Sequence, residues 1–353
     1  MSTVVVGTGF AGTLHAEALR RLEIEVAGAF GSSGDLGEAL SDPAVDFVHL
    51  ATPNHLHFPQ ARAALEAGKN VVCEKPLALT SAESAELVRL AAGSGLVAAT
   101  CFNLRYYPQC QAARALDLGQ IRHVHGSYLQ DWLALPADTN WRVEPTLGGE
   151  LRAVGDIGSH WLDLVTFVTG RHVEAVMADL TTFIGVRKKP TGPVETYTSA
   201  AGGETIDVPM DTEDAAGLLL RLEGGARAVA TISQLSAGRR NRLSWEIDGS
   251  QSALAWHSEA PEELWIGHRG QPSELLISER GDYPPGHAEG FPDTFKRLYR
   301  AVYTAVANGG PPEEPDYPTF AAGHEEALIA DAIARSHEEQ RWVAVDPVPQ
   351  EVR

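Results

Sequence analysis

Three short stretches of this sequence carry residue types that together could move a hydride and a proton. Gly7-Thr8-Gly9-Phe10-Ala11-Gly12 has the spacing of a turn that seats a dinucleotide pyrophosphate. Gly7 makes the tight turn, Gly9 admits phosphate to the backbone, and Gly12 lets a helix pack on the preceding strand. Phe10 and Ala11 stand at the start of that helix, read as residues 11–22, whose N-terminal amides would face the anion. Glu74-Lys75-Pro76 follows a short apolar run and sets an amine at a strand end, where it can orient a hydroxyl. A cis Lys75–Pro76 bond is expected there. Gly155-Asp156-Ile157-Gly158-Ser159-His160 places a carboxylate and an imidazole on one face of a helix. Histidine titrates nearest neutrality and suits taking a proton from an alcohol as hydride leaves carbon, while the carboxylate holds the same molecule. By themselves Asp156 and His160 also fit a helix cap and a core histidine; the other two stretches favour the chemical reading.

The elements that must position these residues are legible. Short β-branched runs at 3–6, 24–30, 45–51, 70–73 and 96–101 alternate with helical stretches, the pattern of a parallel sheet covered on both faces. Thr80 and Glu83 form a capping box for a helix reaching about residue 92, with Gly93 as its stop. After about residue 120 longer alternating runs at 124–129, 173–183, 216–222, 226–234, 242–247 and 252–257 predict antiparallel strands. A helix at 156–169 closed by Gly170 and two more near 293–307 and 324–339 complete the α+β part. The fold class expected is α/β: an N-terminal Rossmann-type parallel sheet, then an α+β domain with a large, mostly antiparallel open sheet. Residues 1–105 are assigned to dinucleotide binding and 106–353 to substrate binding and oligomerisation, with 188–214 as an exposed excursion.

Further residues follow from placement at the sheet's carboxyl edge, where open α/β sheets bind ligands. Thr52, Pro53, Asn54 and His57 are read as lining the cofactor together with Glu74 and Lys75. His55 and His57 lack a third grouped ligand, so no metal is expected. The second strand ends without the acid that usually holds the adenosine ribose; Ser32 and Ser33 stand there instead and favour NADP over NAD, the choice staying open. Asn103 and Arg105 fall at the mouth of the cleft, Arg105 serving either substrate or a domain-bridging ion pair. Trp132, Trp141 and Arg142 suit a sugar, because an aromatic face stacks on C–H groups and a guanidinium donates to hydroxyls.

Composition narrows the partners. The 28 Lys and Arg against 47 Asp and Glu give a net charge of −19, which repels nucleic acid and anionic lipid. Three cysteines without a paired spacing fit buried thiols. No basic leader and no apolar run of about 18 residues is visible, so a cytoplasmic chain is expected, with a small molecule as partner.

The glycine turn, Ala51-Thr52-Pro53-Asn54-His55-x-His57, Glu74-Lys75-Pro76 and Gly155-Asp156-x-Gly158-x-His160 occur in the order found in the Gfo/Idh/MocA oxidoreductases, and over nearly its whole length the chain resembles that family. The resemblance implies an NAD(P)-dependent enzyme transferring hydride between nicotinamide and a ring hydroxyl or ketone of a sugar or cyclitol. It makes Lys75, Asp156 and His160 the catalytic set, with His160 as acid/base, and implies a homo-oligomer, dimer or tetramer. Residues 126–132, 140–142 and 152–156 resemble a sugar-dehydrogenase branch. One departure is clear: only 14 residues separate Phe30 from Val45, where the family fits a helix, a strand and a further helix. Two other functions fit the same motifs, a glycoside hydrolase that oxidises its substrate transiently with held NAD, and a non-catalytic nicotinamide sensor.

Overall fold

The computed structural model describes residues 1–31, 36–191, 204–277, 281–284 and 286–348. In the first lobe β1 (Ser2–Val6), α1 (Phe10–Arg21), β2 (Glu25–Phe30), α2 (Leu36–Ser41), β3 (Val45–Leu50), α3 (His57–Glu66), β4 (Asn70–Cys73), α4 (Ser81–Ser94) and β5 (Ala98–Thr100) alternate. Their strands pair in parallel in the order β2-β1-β3-β4-β5. The second lobe follows with α5 (Pro108–Arg114), β6 (His123–Leu129), α6 (Pro145–Gly148), α7 (Ser159–Thr169), β7 (Val173–Thr181), β8 (Val186–Pro190) and β9 (Thr205–Pro209). It continues with β10 (Ala215–Leu222), β11 (Arg227–Ser233), β12 (Arg242–Asp248), β13 (Ser252–His257), β14 (Glu263–His268), β15 (Glu274–Ile277), α8 (Phe291–Ala307), α9 (Phe320–Glu339) and β16 (Val343–Ala344).

The first sheet is apolar on both faces because helices cover both. Val48, Leu50 and Val71 pack against Ala61, Ala64 and Leu87 of α3 and α4. Val5, Phe47 and Val72 face the other way, toward Ala18 and Leu19 of α1 and Leu298, Tyr299 and Val302 of α8. Chain order and spatial order part here: α8 lies late in the sequence yet closes the first lobe's core.

Nine strands form the second sheet, in the order β15-β14-β13-β12-β6-β11-β10-β7-β16. Every pair is antiparallel except β6 with β11. Along β10 Ala216, Leu218, Leu220 and Leu222 point into a core shared with α7 and with Ile329 and Ile333 of α9, while Leu219 stays exposed. This is the alternation of a sheet with one covered face.

Four local expectations need correction. Helix α4 runs through Gly93 to Ser94, and Gly95 adopts φ 70° at its end, since only there does the chain reverse into β5. Thr80 caps that helix by accepting from the Glu83 amide at 3.2 Å, but the Glu83 carboxylate reaches the Leu79 amide rather than that of Thr80. Asp156 does not start α7: residues Val154–Gly158 form a wide π-type turn and α7 begins at Ser159. Within the excursion, β8 and β9 pair as a hairpin, and its base is buried, with Arg187, Thr212 and Asp214 almost without exposure. Arg187 is held there by the Asp214 carboxylate and by the carbonyls of Leu133, Leu135 and Asp138. Among the described residues no helix is long and apolar enough to cross a membrane.

Candidate active site

Two adjoining cavities separate the lobes. The larger, about 600 Å³, follows the glycine turn and the end of β3. Gly7 has φ 106°, and a Cβ there would sit 2.3 Å from the Ala51 carbonyl oxygen; a Cβ on Gly12 would meet the Gly7 carbonyl oxygen at 1.8 Å. Gly9 is the opposite case, with nothing within 4 Å of the position of a Cβ. It precedes α1, whose first turn holds neither a capping side chain nor an acid. Open space at Gly9 beside an uncapped helix start fits an approaching pyrophosphate. Phe10, Ala11, Thr52, Pro53 and Asn54 line the same cavity. Asn54 also donates to the Gly148 carbonyl at 2.7 Å, which ties this edge to the second lobe. Strand β2 ends at Phe30 with no carboxylate; Ser32 and Ser33 lie outside the described residues.

His57 does not line the cofactor edge as expected. Its ring is fully buried, and its nitrogens lie 2.6 and 2.9 Å from the carbonyl oxygens of Pro76 and Thr52. Burial lowers its pKa, and a neutral imidazole donates to one of these carbonyls. His57 therefore braces the Lys75–Pro76 turn from behind. That peptide bond is cis.

The second cavity, about 390 Å³, brings Lys75 and His160 to one space. Glu74, Lys75, Arg142 and Asp156 line both cavities, so the two are continuous. Lys75 Nζ donates to the Asp156 carbonyl and lies 3.2 Å from Asp156 Oδ1. Arg142 Nε donates to the same oxygen at 3.0 Å, and Gln234 Nε2 donates to Oδ2 at 2.9 Å. The π-type turn explains how one residue offers both carbonyl and carboxylate to the amine; such turns interrupt the regular ladder and often sit at functional sites.

Electrostatics sort the groups. Burial alone would raise Asp156, but Lys75 and Arg142 outweigh it and hold the carboxyl well below the usual range. Burial would raise Glu74 as well, but the His15 hydrogen bond and the charge of Lys75 outweigh it and hold the carboxyl at about 2. His160 is pushed down to about 3 by burial and then by Lys75, with Glu74 and Asp156 opposing. At neutral pH its ring is uncharged. Its Nδ1 is buried without a partner among the described residues, beside the Phe102 and Tyr128 rings at centroid distances of 6.3 Å.

Asn103 lines the cavity and donates to Thr294 Oγ1 at 2.7 Å. Arg105 does not face the cleft. Its Nε donates to both carboxylate oxygens of Asp163 at 3.0 Å and its guanidinium lies 5.0 Å from the centre of the Phe167 ring, so it is the domain-bridging ion pair. Arg142 stands 4.3 Å from the Trp141 ring and 5.9 Å from that of Trp132; Trp132 Nε1 donates to Gln130 Oε1 at 2.7 Å. Motif reading missed Gln234 and a polar wall in which Tyr128 and Gln130 both donate to Asn241 Oδ1, at 2.7 and 2.8 Å. Gln130 falls within residues 126–132, and Gln234 directly follows the strand Arg227–Ser233, but nothing local joins the two.

Comparisons with known proteins bear on the family and the fold. Residues 111–255 match the GFO/IDH/MocA C-terminal domain, and residues 25–102 match the oxidoreductase family with an NAD-binding Rossmann fold. Levoglucosan dehydrogenase of Pseudarthrobacter phenanthrenivorans is 31% identical, over 94% of this chain and 89% of its own length. A solved levoglucosan dehydrogenase in complex with NADH and L-sorbose superposes with a TM-score of 0.86 at 28% identity, covering 100% of both chains. An inositol dehydrogenase homolog from Azotobacter vinelandii, complexed with NADH and myo-inositol, gives 0.79 at 25% identity over 98% of this chain and 97% of that one. With the glycine turn, the lysine turn and the Asp156–His160 segment meeting at one cleft, the chain belongs to the Gfo/Idh/MocA family of oxidoreductases.

Proposed function

We propose that the chain transfers a hydride between a nicotinamide cofactor and a ring hydroxyl or ketone of a sugar or cyclitol. The observation that carries this reading is the single cavity lined by Lys75 from the first lobe and Asp156 and His160 from the second, continuous with the space at Gly9. A nicotinamide bound there supplies the two-electron acceptor or donor. Lys75, fixed by Asp156, donates to the reacting oxygen and orients it. His160, uncharged at neutral pH, accepts the hydroxyl proton as the C–H bond gives its electron pair away, leaving a ketone. Asp156, itself anchored by Arg142 and Gln234, holds the amine and accepts from a neighbouring substrate hydroxyl. The wall of Trp141, Arg142, Gln130 and Asn241 suits a guest with C–H faces and several hydroxyls, and relatives that bind levoglucosan, L-sorbose and myo-inositol support it.

The missing carboxylate at the end of β2 supports use of NADP as well as NAD. A cytoplasmic homo-oligomer, dimer or tetramer, completes the reading. Its test is a panel of sugars and cyclitols assayed with both cofactors at 340 nm. Stoichiometric appearance of reduced nicotinamide with one class of polyol is expected; sugar release without net absorbance change, or binding of cofactor without turnover on any polyol, overturns it.

A further inference from the structure

A second cluster of ligating side chains lies on the uncovered face of the large sheet. His123 and His125 are two residues apart on β6 and so share one face. Across the antiparallel ladder His123 pairs with Asp248 and His125 with Glu246 of β12, so two imidazoles and two carboxylates form a square. His123 Nδ1 lies 3.6 Å from Asp248 Oδ2, and His125 Nε2 lies 3.7 Å from Glu246 Oε2. The imidazole rings are 5.6 Å apart between centroids. Ligand atoms of His123, His125 and Asp248 all fall within 4.8 Å of one another.

We propose that His123, His125 and Asp248 bind one divalent transition-metal ion, zinc by the chemistry of its ligands. Bonds of about 2.0–2.1 Å in a tetrahedron put neighbouring ligand atoms about 3.3 Å apart, so small side-chain rotations bring the three groups onto one ion. Two imidazoles with one carboxylate match zinc; calcium and magnesium demand oxygen ligands. The Glu246 carboxylate, 3.7 Å from His125 Nε2, adds a second anionic group beside that ring. The nearest cation on the adjoining strand is Arg227, in register with His123. Its guanidinium donates back to the carbonyls of Gly225 and Ala226, which are its own partners. The other three-ligand group among the described residues, His15, Glu74 and Cys101, is a poorer host, because His15 is fully buried with one nitrogen against His49 and the other against Glu74.

The test starts from chelator-treated, dialysed protein. Equilibrium dialysis against zinc and titration with cobalt, whose visible bands report tetrahedral coordination, are run on the native chain, on the His123→Ala, His125→Ala double variant and on Asp248→Asn. One equivalent bound by the native chain is expected, with affinity at least tenfold weaker in both variants, unchanged circular dichroism, and no competition from excess magnesium. No binding at micromolar metal, equal binding by the double variant, or displacement by magnesium overturns the proposal.

Discussion

Two carboxylates in the second lobe are each gripped by two cations, and they do different work. Asp156 takes Lys75, Arg142 and Gln234. Asp214 takes Arg152, Arg187 and the Ile184 amide. The difference is water. Asp214, Arg152 and Arg187 have side chains at most 1% exposed, whereas Lys75, Asp156 and Arg142 keep 10 to 20% open to a cavity. A sealed cluster fastens the base of the β8–β9 hairpin to the sheet; an open one leaves the same kind of charge available to a guest. Burial of ions is costly unless each is paired, so the sealed cluster should be sensitive in stability and the open one in turnover.

The sharpest way to break this contrast is to remove each carboxylate. Asp214→Ala leaves two buried guanidiniums without their anion and should cost about 3–5 kcal/mol of stability, read as a large fall in Tm or loss of folded protein. Asp156→Ala, where cleft water can solvate Lys75 and Arg142, should lower Tm much less; equal losses would dissolve the distinction.

Turnover provides the next largest effect. His160→Ala removes the proton acceptor and should lower kcat by about 10²–10⁴-fold with Tm nearly unchanged, measured by absorbance at 340 nm. A fall confined to KM would make His160 a binding group only.

Acid sharpens the comparison more gently. Burial lowers the pKa of His57 and His49 and brings His160 to about 3. Between those values and the unfolded value near 6.5 the unfolded chain binds more protons, so stability is complete above about pH 6.5 and declines as pH falls. The Asp214 carboxyl, also lowered, loses its contribution only on acidification below the ordinary carboxylate range. Tm should therefore fall steadily from pH 7 to 5, and the slope should lessen in His49→Phe; a flat profile counts against buried neutral histidines.

The glycine turn, β4 (Asn70–Cys73) and β13 (Ser252–His257) were readable because local pattern and tertiary role coincide there. Asn70–Cys73 is apolar and lies within a sheet covered on both faces, Gly7 is required by its own φ of 106°, and Gly12 by the Gly7 carbonyl in the same turn. His57 was misplaced, and Arg105 was left open between a ligand role and the ion pair it makes, because a sequence shows that a polar residue stands near a cleft but not which way it points. Both turn toward buried partners, Asp163 and the main-chain carbonyls of Pro76 and Thr52. Gln234 and Asn241 stayed hidden for a related reason: they reach the cleft only through the pairing of β11 and β12 with β6, a long-range register that no local motif encodes. The packing of α8 on the first sheet is equally non-local.

The central claim rests on Lys75 as the group that holds the reacting oxygen beside the cofactor. Lys75→Ala, measured in one preparation for turnover on an active polyol and for reduced-cofactor binding by fluorescence titration, tests it most directly. A loss of at least about 10²-fold in kcat with cofactor affinity within a few-fold of the native chain is the predicted result. Native turnover in the variant would contradict the account, as would a drop fully explained by lost cofactor binding.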